Sequence, residues 1–286
     1  LDLIFVGPFG WGAGGAAAAT AISQGVSFLL SIWYLRRSNF IFDFKRKSFK
    51  INKKVALQIT KIGIPSSVQM TLISVSFLFL ATIVNSYGVE ASAANGIGIK
   101  VDTFAVLPAL AFSSAISSMA GQNIGAREFG RAKQTLIYGI VFAFITSLIL
   151  FAVVQVFSEQ FVVLFNDNKV DLTDLEKIRV AEETVRIGKD YLQIAAFSYP
   201  ILAFMMAFNG FATGSGNSFF TMINTFVATV LLRVPLAYIL SGYMGINGVF
   251  LSLVIAPIGG ALAGLIFFLS GRWKKGRVTG SVVLDA

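Results

Sequence analysis

The sequence predicts an all-α, polytopic membrane protein with seven transmembrane helices. Hydrophobic residues make up 56% of the chain and charged residues only 13%, a balance that would leave a soluble domain with large exposed apolar patches. The apolar residues also form long runs of about 20, the length that a helix needs to cross a hydrocarbon core of about 30 Å. Because backbone polar groups need partners inside a bilayer and the runs are too uniform for barrel strands, each run is predicted to be a helix.

Seven apolar runs follow one another, and each is predicted to cross the bilayer once. They cover residues 16–35, 62–86, 95–119, 136–157, 191–213, 219–241 and 246–270. The prolines inside or at the start of these runs are Pro65, Pro108, Pro200, Pro235 and Pro257. Because proline removes a backbone hydrogen bond that neighbouring membrane helices can replace, kinked and closely packed helices are expected.

Basic residues between the runs indicate which side faces the cytoplasm, because positively charged loops stay there. The segments 36–61, 127–133 and 272–277 fall on one side and carry most of the Lys and Arg residues. The chain is therefore predicted to be a multi-pass protein of the cell membrane, with its linker and C-terminus in the cytoplasm. The segment 158–190 is predicted to be a long external loop, in which an acidic stretch near Asp171 precedes a short amphipathic surface helix.

Cysteine and histidine are both absent from the sequence. Disulfide frameworks, thiol or imidazole catalysis and the usual zinc or haem ligand sets are therefore excluded, and no cofactor is expected. The formal net charge of +9 would suit a nucleic-acid partner, but its concentration on one side of a membrane explains it without one. The chain begins at Leu1 in an apolar stretch, which suggests a truncated sequence.

Three charged residues lie inside predicted spans, where an ion is costly and is usually retained for a function or a partner. Asp102 is the only carboxylate in the seven runs and lies about seven residues, or roughly 10 Å, into its helix. Lys100 points to a different face of that helix, and Arg233 falls at similar depth on a helix of opposite direction. Asp102 is predicted to bind the coupling ion or a cationic substrate, exchanging partners between Lys100, Arg233 and ligand. The alternative is a static pair with basic side chains that reach the interface.

Neutral polar residues are the other candidates for a pathway through the bundle: Gln69, Asn95, Asn209, Ser113 and Ser114. They are accompanied by the aromatic and thioether side chains of Phe77, Phe104, Phe204, Phe208 and Met205. A cavity that combines such groups binds flat lipophilic cations by stacking and cation–π attraction without a strict shape. Small organic substrates and the lipid bilayer are therefore the expected partners.

Several segments resemble the multidrug and toxic compound extrusion (MATE) family. A Gly-Ile-Pro stretch, with Gly63 and Pro65, follows the basic linker. A Gln-Asn-x-Gly-Ala stretch, with Gln122, Asn123 and Gly125, ends the next helix and is the most specific match. Further matches are residues 208–217, residues 233–237 with Pro235, residues 245–249 and residues 14–24. These motif residues are expected to be structural. Gly121 and Gly125 can adopt the left-handed backbone that ends a helix, and the side chains of Gln122 and Asn123 can form hydrogen bonds with its last free carbonyl groups.

The resemblance covers nearly the whole chain and implies that the seven spans are helices six to twelve of a MATE transporter. Residues 1–37 would then end the N-terminal lobe, residues 38–61 would form a cytoplasmic linker, residues 62–273 a six-helix C-terminal lobe and residues 274–286 a cytoplasmic tail. The five remaining helices of the N-terminal lobe would be a partner of this chain. The family implies a secondary active antiporter that exports organic, often cationic compounds in exchange for H⁺ or Na⁺ by a rocking motion of two lobes.

The coupling ion stays open, because some members of the family bind cations through carboxylates on the seventh and tenth helices, and residues 62–86 and 191–213 contain none. A flippase for lipid-linked saccharides is an alternative within the same superfamily, although its cavity would need several basic side chains. A non-catalytic membrane scaffold is another. An enzyme is not expected, because no catalytic or metal-binding groups cluster near one interface.

Overall fold

The computed structural model describes residues 1–37, 52–165 and 175–275, and every regular element within these residues is a helix. The all-α fold predicted from the sequence is therefore confirmed. Most of the predicted linker, the segment 166–174 and the tail beyond residue 275 lie outside the described residues.

The chain divides into two compact units, Leu1–Val55 and Ala56–Ala286. In the first unit, α1 (Asp2–Val6) is followed by α2 (Gly12–Arg37), which contains the first predicted span. The rings of Phe5 and Trp11 pack with centroids 5.1 Å apart where the chain turns between the two helices. The assignment of these units to the lobes of a transporter stays a prediction.

The rest of the described chain consists of helices joined by short turns. They are α3 (Lys53–Asn85), α4 (Val89–Gly125), α5 (Phe129–Phe165), α6 (Leu175–Ala196), α7 (Ser198–Gly214), α8 (Ser218–Phe226), a π-helical turn (Val227–Leu232), α9 (Arg233–Met244), α10 (Ile246–Leu269) and a 3₁₀ turn (Arg272–Lys275). Of the helices in the described residues, six are long and apolar enough to cross a membrane, or seven spans result if α6 and α7 form one bent span. This agrees with the seven spans predicted from the sequence.

Residues 158–190 were predicted to form a long loop with a short amphipathic helix after an acidic stretch. A helix does begin there, at Leu175, but α6 is longer than expected and runs to Ala196, and α5 continues to Phe165 across a kink at Phe157, where the predicted span ended. Hydropathy detects only the part of a helix that is apolar enough for lipid, whereas backbone hydrogen bonds continue into the charged part. The described charged residues of this segment lie on two long helices, where Lys189 pairs with Glu159 at 2.8 Å and Arg179 approaches Glu90 of α4 at 3.7 Å.

The expected irregularities occur at Pro200 and Pro235, whereas Pro65, Pro108 and Pro257 lie inside the unbroken helices α3, α4 and α10. α6 and α7 meet at an angle of 44°, and Pro200 is the third residue of α7. Its ring excludes the ordinary helical position of the carbonyl four residues earlier, at Ala196, which is where α6 ends. Pro235 stands in the same relation to Leu231, which lies in the π-helical turn before α9. Two prolines thus lie at irregular points of the bundle, whereas the kink in α5 at Phe157 has no proline beside it.

α4 and α7 cross at small residues on both helices. A Cβ atom added to Gly210 would overlap the carbonyl oxygen of Ser113, and one added to Gly214 would overlap that of Ser117. The hydroxyl of Ser113 donates a hydrogen bond of 2.8 Å to the carbonyl of Met206. Small residues four apart on each helix let the two backbones approach closely, which is the usual way in which membrane helices gain packing contacts.

We expect Gly210→Ala to lower the free energy of unfolding by about 1–3 kcal/mol, because the added methyl group has to displace the backbone of α4. Gly96→Ala is the matched control, since no atom lies within 4 Å of a Cβ at that position, and alanine favours a helix. Thermal unfolding of the purified chain in detergent measures both. Equal melting temperatures for the two variants would contradict the packing argument.

Candidate functional site

Asp102 is held by two tyrosine hydroxyl groups. Tyr199 donates a hydrogen bond of 2.6 Å to its Oδ1 atom, and Tyr191 donates one of 2.5 Å to its Oδ2 atom. Both tyrosines are buried, with 3% and 1% of their surfaces exposed. Tyr191 lies near the end of α6 and Tyr199 near the start of α7. The carboxylate on α4 therefore connects the two sides of the bend between α6 and α7.

The ring of Tyr191 fits against α4 because Gly98 has no side chain. A Cβ atom at Gly98 would overlap the Tyr191 ring, and Gly98 lies one helical turn before Asp102, on the same face. On its other side the Tyr191 ring meets Phe250 of α10 edge to face, with centroids 4.8 Å apart. The tyrosine that holds the carboxylate is thus fixed by α4 and α10 together.

Arg233 is buried near this cluster without an ion pair. Only 5% of its surface is exposed, and its Nε and Nη1 atoms have no hydrogen-bond partner. Its guanidinium group lies over the ring of Phe77, 5.6 Å from the ring centroid. It is close enough to Asp102 for their charges to interact, but it does not pair with any described acid within 4 Å.

The predicted partners of Asp102 therefore behave differently. Lys100 is exposed, and its Nζ atom lies 5.7 Å from the centroid of the Phe165 ring, so it faces away from the carboxylate as its spacing predicted. Arg233 lies nearby but does not pair with it. The sequence did not identify the two tyrosines as partners of Asp102, because they lie 89 and 97 residues away from it in the chain. Their only signal in the sequence is two tyrosines about two helical turns apart, whose hydroxyls need partners when buried.

A second feature is a cavity of about 660 Å³ between α3, α4, α7 and α8. Methionine and small polar side chains dominate its lining, and none of the described residues that line it carries a charge. The polar ones are Ser66, Ser67, Gln69, Ser113, Ser114, Ser117, Ser118, Asn209, Thr213 and Thr225.

Hydrogen bonds between helices fix the two predicted amides of this cavity. The Nε2 atom of Gln69 donates to Oγ1 of Thr225 at 2.8 Å. The Oδ1 atom of Asn209 accepts a bond of 2.8 Å from Nδ2 of Asn224, which also lies 3.1 Å from the carbonyl oxygen of Gly260. The orientation of both amides is therefore set before any ligand enters.

The structure brings only part of the predicted pathway to this cavity. Gln69, Asn209, Ser113, Ser114 and Met205 line it, together with Gly63, whereas Asn95 and the four predicted phenylalanines are not among the described lining residues. Phe204 and Phe208 instead pack against Phe144 and Phe268, and Phe104 is 67% exposed. The cavity is thus lined by hydroxyl and thioether groups, and not by the aromatic rings that were expected.

The Gln-Asn-x-Gly-Ala stretch ends α4 differently from the expectation. The residue with a left-handed backbone is Arg127, with φ of 61°, and the amide of Glu128 donates to the carbonyl of Asn123 at 2.8 Å. This is the bonding of a Schellman helix end. Gly121 instead provides close packing, since its Cβ would lie 3.1 Å from the carbonyl oxygen of Gly214, and Gly125 has open space around it.

The two amide residues of this stretch have different surroundings. Asn123 donates a bond of 2.8 Å to the carbonyl of Met119 and lies 3.3 Å from Oγ1 of Thr135 on α5. Gln122 is exposed. Within the part of the chain that the structure describes, no three Asp or Glu side chains gather as a protein-built metal site would require.

Comparisons with known proteins point to one family. The MatE family model matches residues 65–239. The chain is 30% identical to the probable multidrug resistance protein YoeA of Bacillus subtilis, over 98% of this chain and 59% of that protein, and 28% identical to the probable multidrug resistance protein NorM of Thermotoga maritima, over 94% and 56%. A solved MOP superfamily transporter from Pyrococcus furiosus has a TM-score of 0.85 at 23% identity, over 96% of this chain and 60% of that one. The chain thus spans somewhat more than half the length of these relatives.

We expect Tyr199→Phe to lower the free energy of unfolding by about 1–3 kcal/mol, because it removes a hydrogen bond to a charged group without changing the ring. Tyr238→Phe is the control, because Tyr238 is 75% exposed and makes no hydrogen bond through its side chain in the described structure. Thermal unfolding in detergent measures both variants. A melting temperature of Tyr199→Phe equal to that of the unmodified chain would show that the hydroxyl does not hold Asp102.

Proposed function

The chain belongs to the MatE family, and from this premise we propose that it forms the C-terminal lobe of a multidrug efflux antiporter that exchanges organic compounds for H⁺ or Na⁺. The observation that carries the proposal is a carboxylate inside a membrane bundle, Asp102, bound by neutral donors while a buried arginine lies nearby without a partner. Charged groups in such positions are usually kept for ion or substrate binding. Two relatives are named as probable multidrug resistance proteins, which supports the efflux of drugs.

In this proposal Asp102 is the coupling site. The carboxyl oxygens of Asp102 accept hydrogen bonds from Tyr191 and Tyr199 in the described state. A proton bound to one of these oxygens adds an O–H that needs an acceptor of its own, which a tyrosine provides by turning its hydroxyl. The two tyrosines lie on opposite sides of the bend between α6 and α7. Ion binding at Asp102 therefore changes the hydrogen bonds that connect the two helices at this bend.

Arg233 is the alternative partner for the same carboxylate, Asp102. Two of its donor atoms are buried and unpaired, a state that costs free energy comparable to a lost charged hydrogen bond. A shift of α9 that joins Arg233 to Asp102 would satisfy both groups when no external cation is bound. A bound cation and Arg233 would then compete for Asp102, which links ion occupancy to the position of α9.

The cavity is the proposed site for the organic compound. Its volume of about 660 Å³ lies in the range of sites for small molecules. Methionine side chains adapt to different shapes, and hydroxyl and amide groups offer hydrogen bonds in several directions. The absence of basic side chains among its described lining residues argues against a lipid-linked saccharide, whose phosphate groups would need cations.

The proposed placement follows the charge distribution. The basic segments at 36–61, 127–133 and 272–277 face the cytoplasm of a cell membrane. The five helices that precede this chain in the longer relatives would supply the other lobe, and the two lobes would rock about the cavity.

We expect Asp102→Asn to abolish efflux driven by the ion gradient while leaving compound binding within about twofold, because the amide keeps the shape of the side chain but carries no charge. The assay follows a fluorescent lipophilic cation in cells that express the protein containing this chain, at two external pH values and with or without Na⁺. Glu159→Gln is the control, since it removes a carboxylate from an exposed ion pair. Equal expression with unchanged efflux and unchanged pH and Na⁺ dependence would refute the coupling role.

We expect Ser114→Leu to weaken binding of the same lipophilic cation by about tenfold, because a larger side chain fills part of the cavity. Ala111→Leu, an exposed position one turn earlier on α4 that does not line the cavity, should bind as the unmodified chain does. Fluorescence titration of the purified chain gives both affinities. Equal affinities for the two variants would place the compound elsewhere.

A further inference from the structure

A second cavity lies in a groove between α4 and α5, with a volume of about 510 Å³. It is separate from the cavity described above, because the two share no lining residue. Its floor forms where Ile116 of α4 packs onto Gly139 of α5, at which a Cβ atom would overlap the Ile116 side chain. The groove is therefore built by the close approach of two rigid helices.

The groove is polar at one end and apolar along its length. Arg131 lies in the first turn of α5, and Gln134 and Thr135 follow in the next turn, opposite Asn123 of α4. Deeper in the groove the lining side chains are Tyr138 and then Phe142. From Arg131 to Phe142 the helix rises roughly 16 Å, which spans a headgroup region and the first part of a hydrocarbon layer.

Arg131 is available for a ligand. Its residue is exposed, and it forms no ion pair within 4 Å with any residue that the structure describes. Glu128, three residues earlier, does not pair with it, and no acidic residue is among the described lining residues of the groove. The charge of the groove is therefore positive at its polar end.

The apolar end opens onto a surface of α5 that suits lipid. Ile137 and Val141 are exposed at the same depth as the groove, and beyond it this helix exposes the large aliphatic side chains of Ile145, Leu148, Ile149 and Val156. An occupant of the groove would thus pass from an arginine at the helix end to hydrocarbon alongside the helix. A phospholipid combines an anionic headgroup with hydrocarbon chains in this order. A soluble anion or a polar peptide would match the arginine but not the apolar surface.

We propose that the groove between α4 and α5 binds one anionic phospholipid, with its phosphate on Arg131 and an acyl chain along Tyr138 and Phe142. Guanidinium and phosphate groups form charge-assisted, often bidentate hydrogen bonds. The amide of Gln134 adds donors for the ester or glycerol oxygens, whereas the hydroxyl of Thr135 already donates to the carbonyl of Arg131. In the membrane placement proposed above, Arg131 faces the cytoplasmic leaflet, whose anionic lipids attract basic groups. The inference depends on insertion in a bilayer, and not on transport.

Native mass spectrometry of the purified chain, released from detergent and titrated with phosphatidylglycerol or phosphatidylcholine of the same acyl chains, tests the site. We expect one phosphatidylglycerol to be retained with about tenfold higher affinity than phosphatidylcholine. Arg131→Gln should lower the affinity for phosphatidylglycerol about tenfold and leave the affinity for phosphatidylcholine unchanged. Phe142→Ala should weaken both lipids, because it shortens the apolar wall.

Two control variants separate the groove from general surface effects. Lys133→Gln removes a nearby charge of the same sign on the same helix, at an exposed residue outside the groove, and Leu164→Ala shortens an exposed apolar residue near the far end of α5. Both should retain phosphatidylglycerol as the unmodified chain does. Equal losses in Arg131→Gln and Lys133→Gln, or equal affinity of the unmodified chain for the two lipids, would overturn the proposal.

Discussion

A carboxylate buried among apolar membrane helices needs hydrogen-bond donors, and this requirement organises the second unit of the chain. Asp102 obtains its donors from Tyr191 and Tyr199, so α4 is tied to both α6 and α7. In hydrocarbon the alternative to these bonds is an unsatisfied ion, which is far more costly than in water. The helices that supply the two hydroxyls therefore have limited freedom to move unless the state of Asp102 changes.

The same helices contain two irregular points of the bundle. The bend between α6 and α7 precedes Pro200, and the π-helical turn precedes Arg233 and Pro235. Regular helix resists bending, whereas a site with missing backbone hydrogen bonds bends at low cost. The charged groups of the membrane interior thus lie next to the places where the helices can change shape. This proximity supports the proposal that ion binding at Asp102 moves α6, α7 and α9.

The two charged residues Asp102 and Arg233 lie apart from the larger cavity of this unit. The cavity between α3, α4, α7 and α8 has hydroxyl, amide and thioether groups at its surface, while Asp102 and Arg233 are not among its described lining residues. α4 contacts both regions, since Ser113 and Ser117 meet α7 beside the cavity and Asp102 meets α6 and α7 further along. An ion and an organic compound could therefore influence one another through α4 and α7 without direct contact, which requires that both bias the same two arrangements of these helices.

The sequence by itself determined the membrane helices and the position of the Asp102 charge within one of them, because hydropathy and charge are properties of one or two helical turns. It also carried the motifs that the MatE match then supported. It failed where contacts join distant segments. The tyrosine partners of Asp102 lie 89 and 97 residues away. Residues 158–190 were predicted to be a loop with only a short helix, because hydropathy does not detect the charged parts of long helices. Gly121 was expected to end α4, but it packs against Gly214 of α7. Only the crossing of the helices decides which side chains meet, because a local pattern fixes the face on which a residue lies and not the residue that faces it.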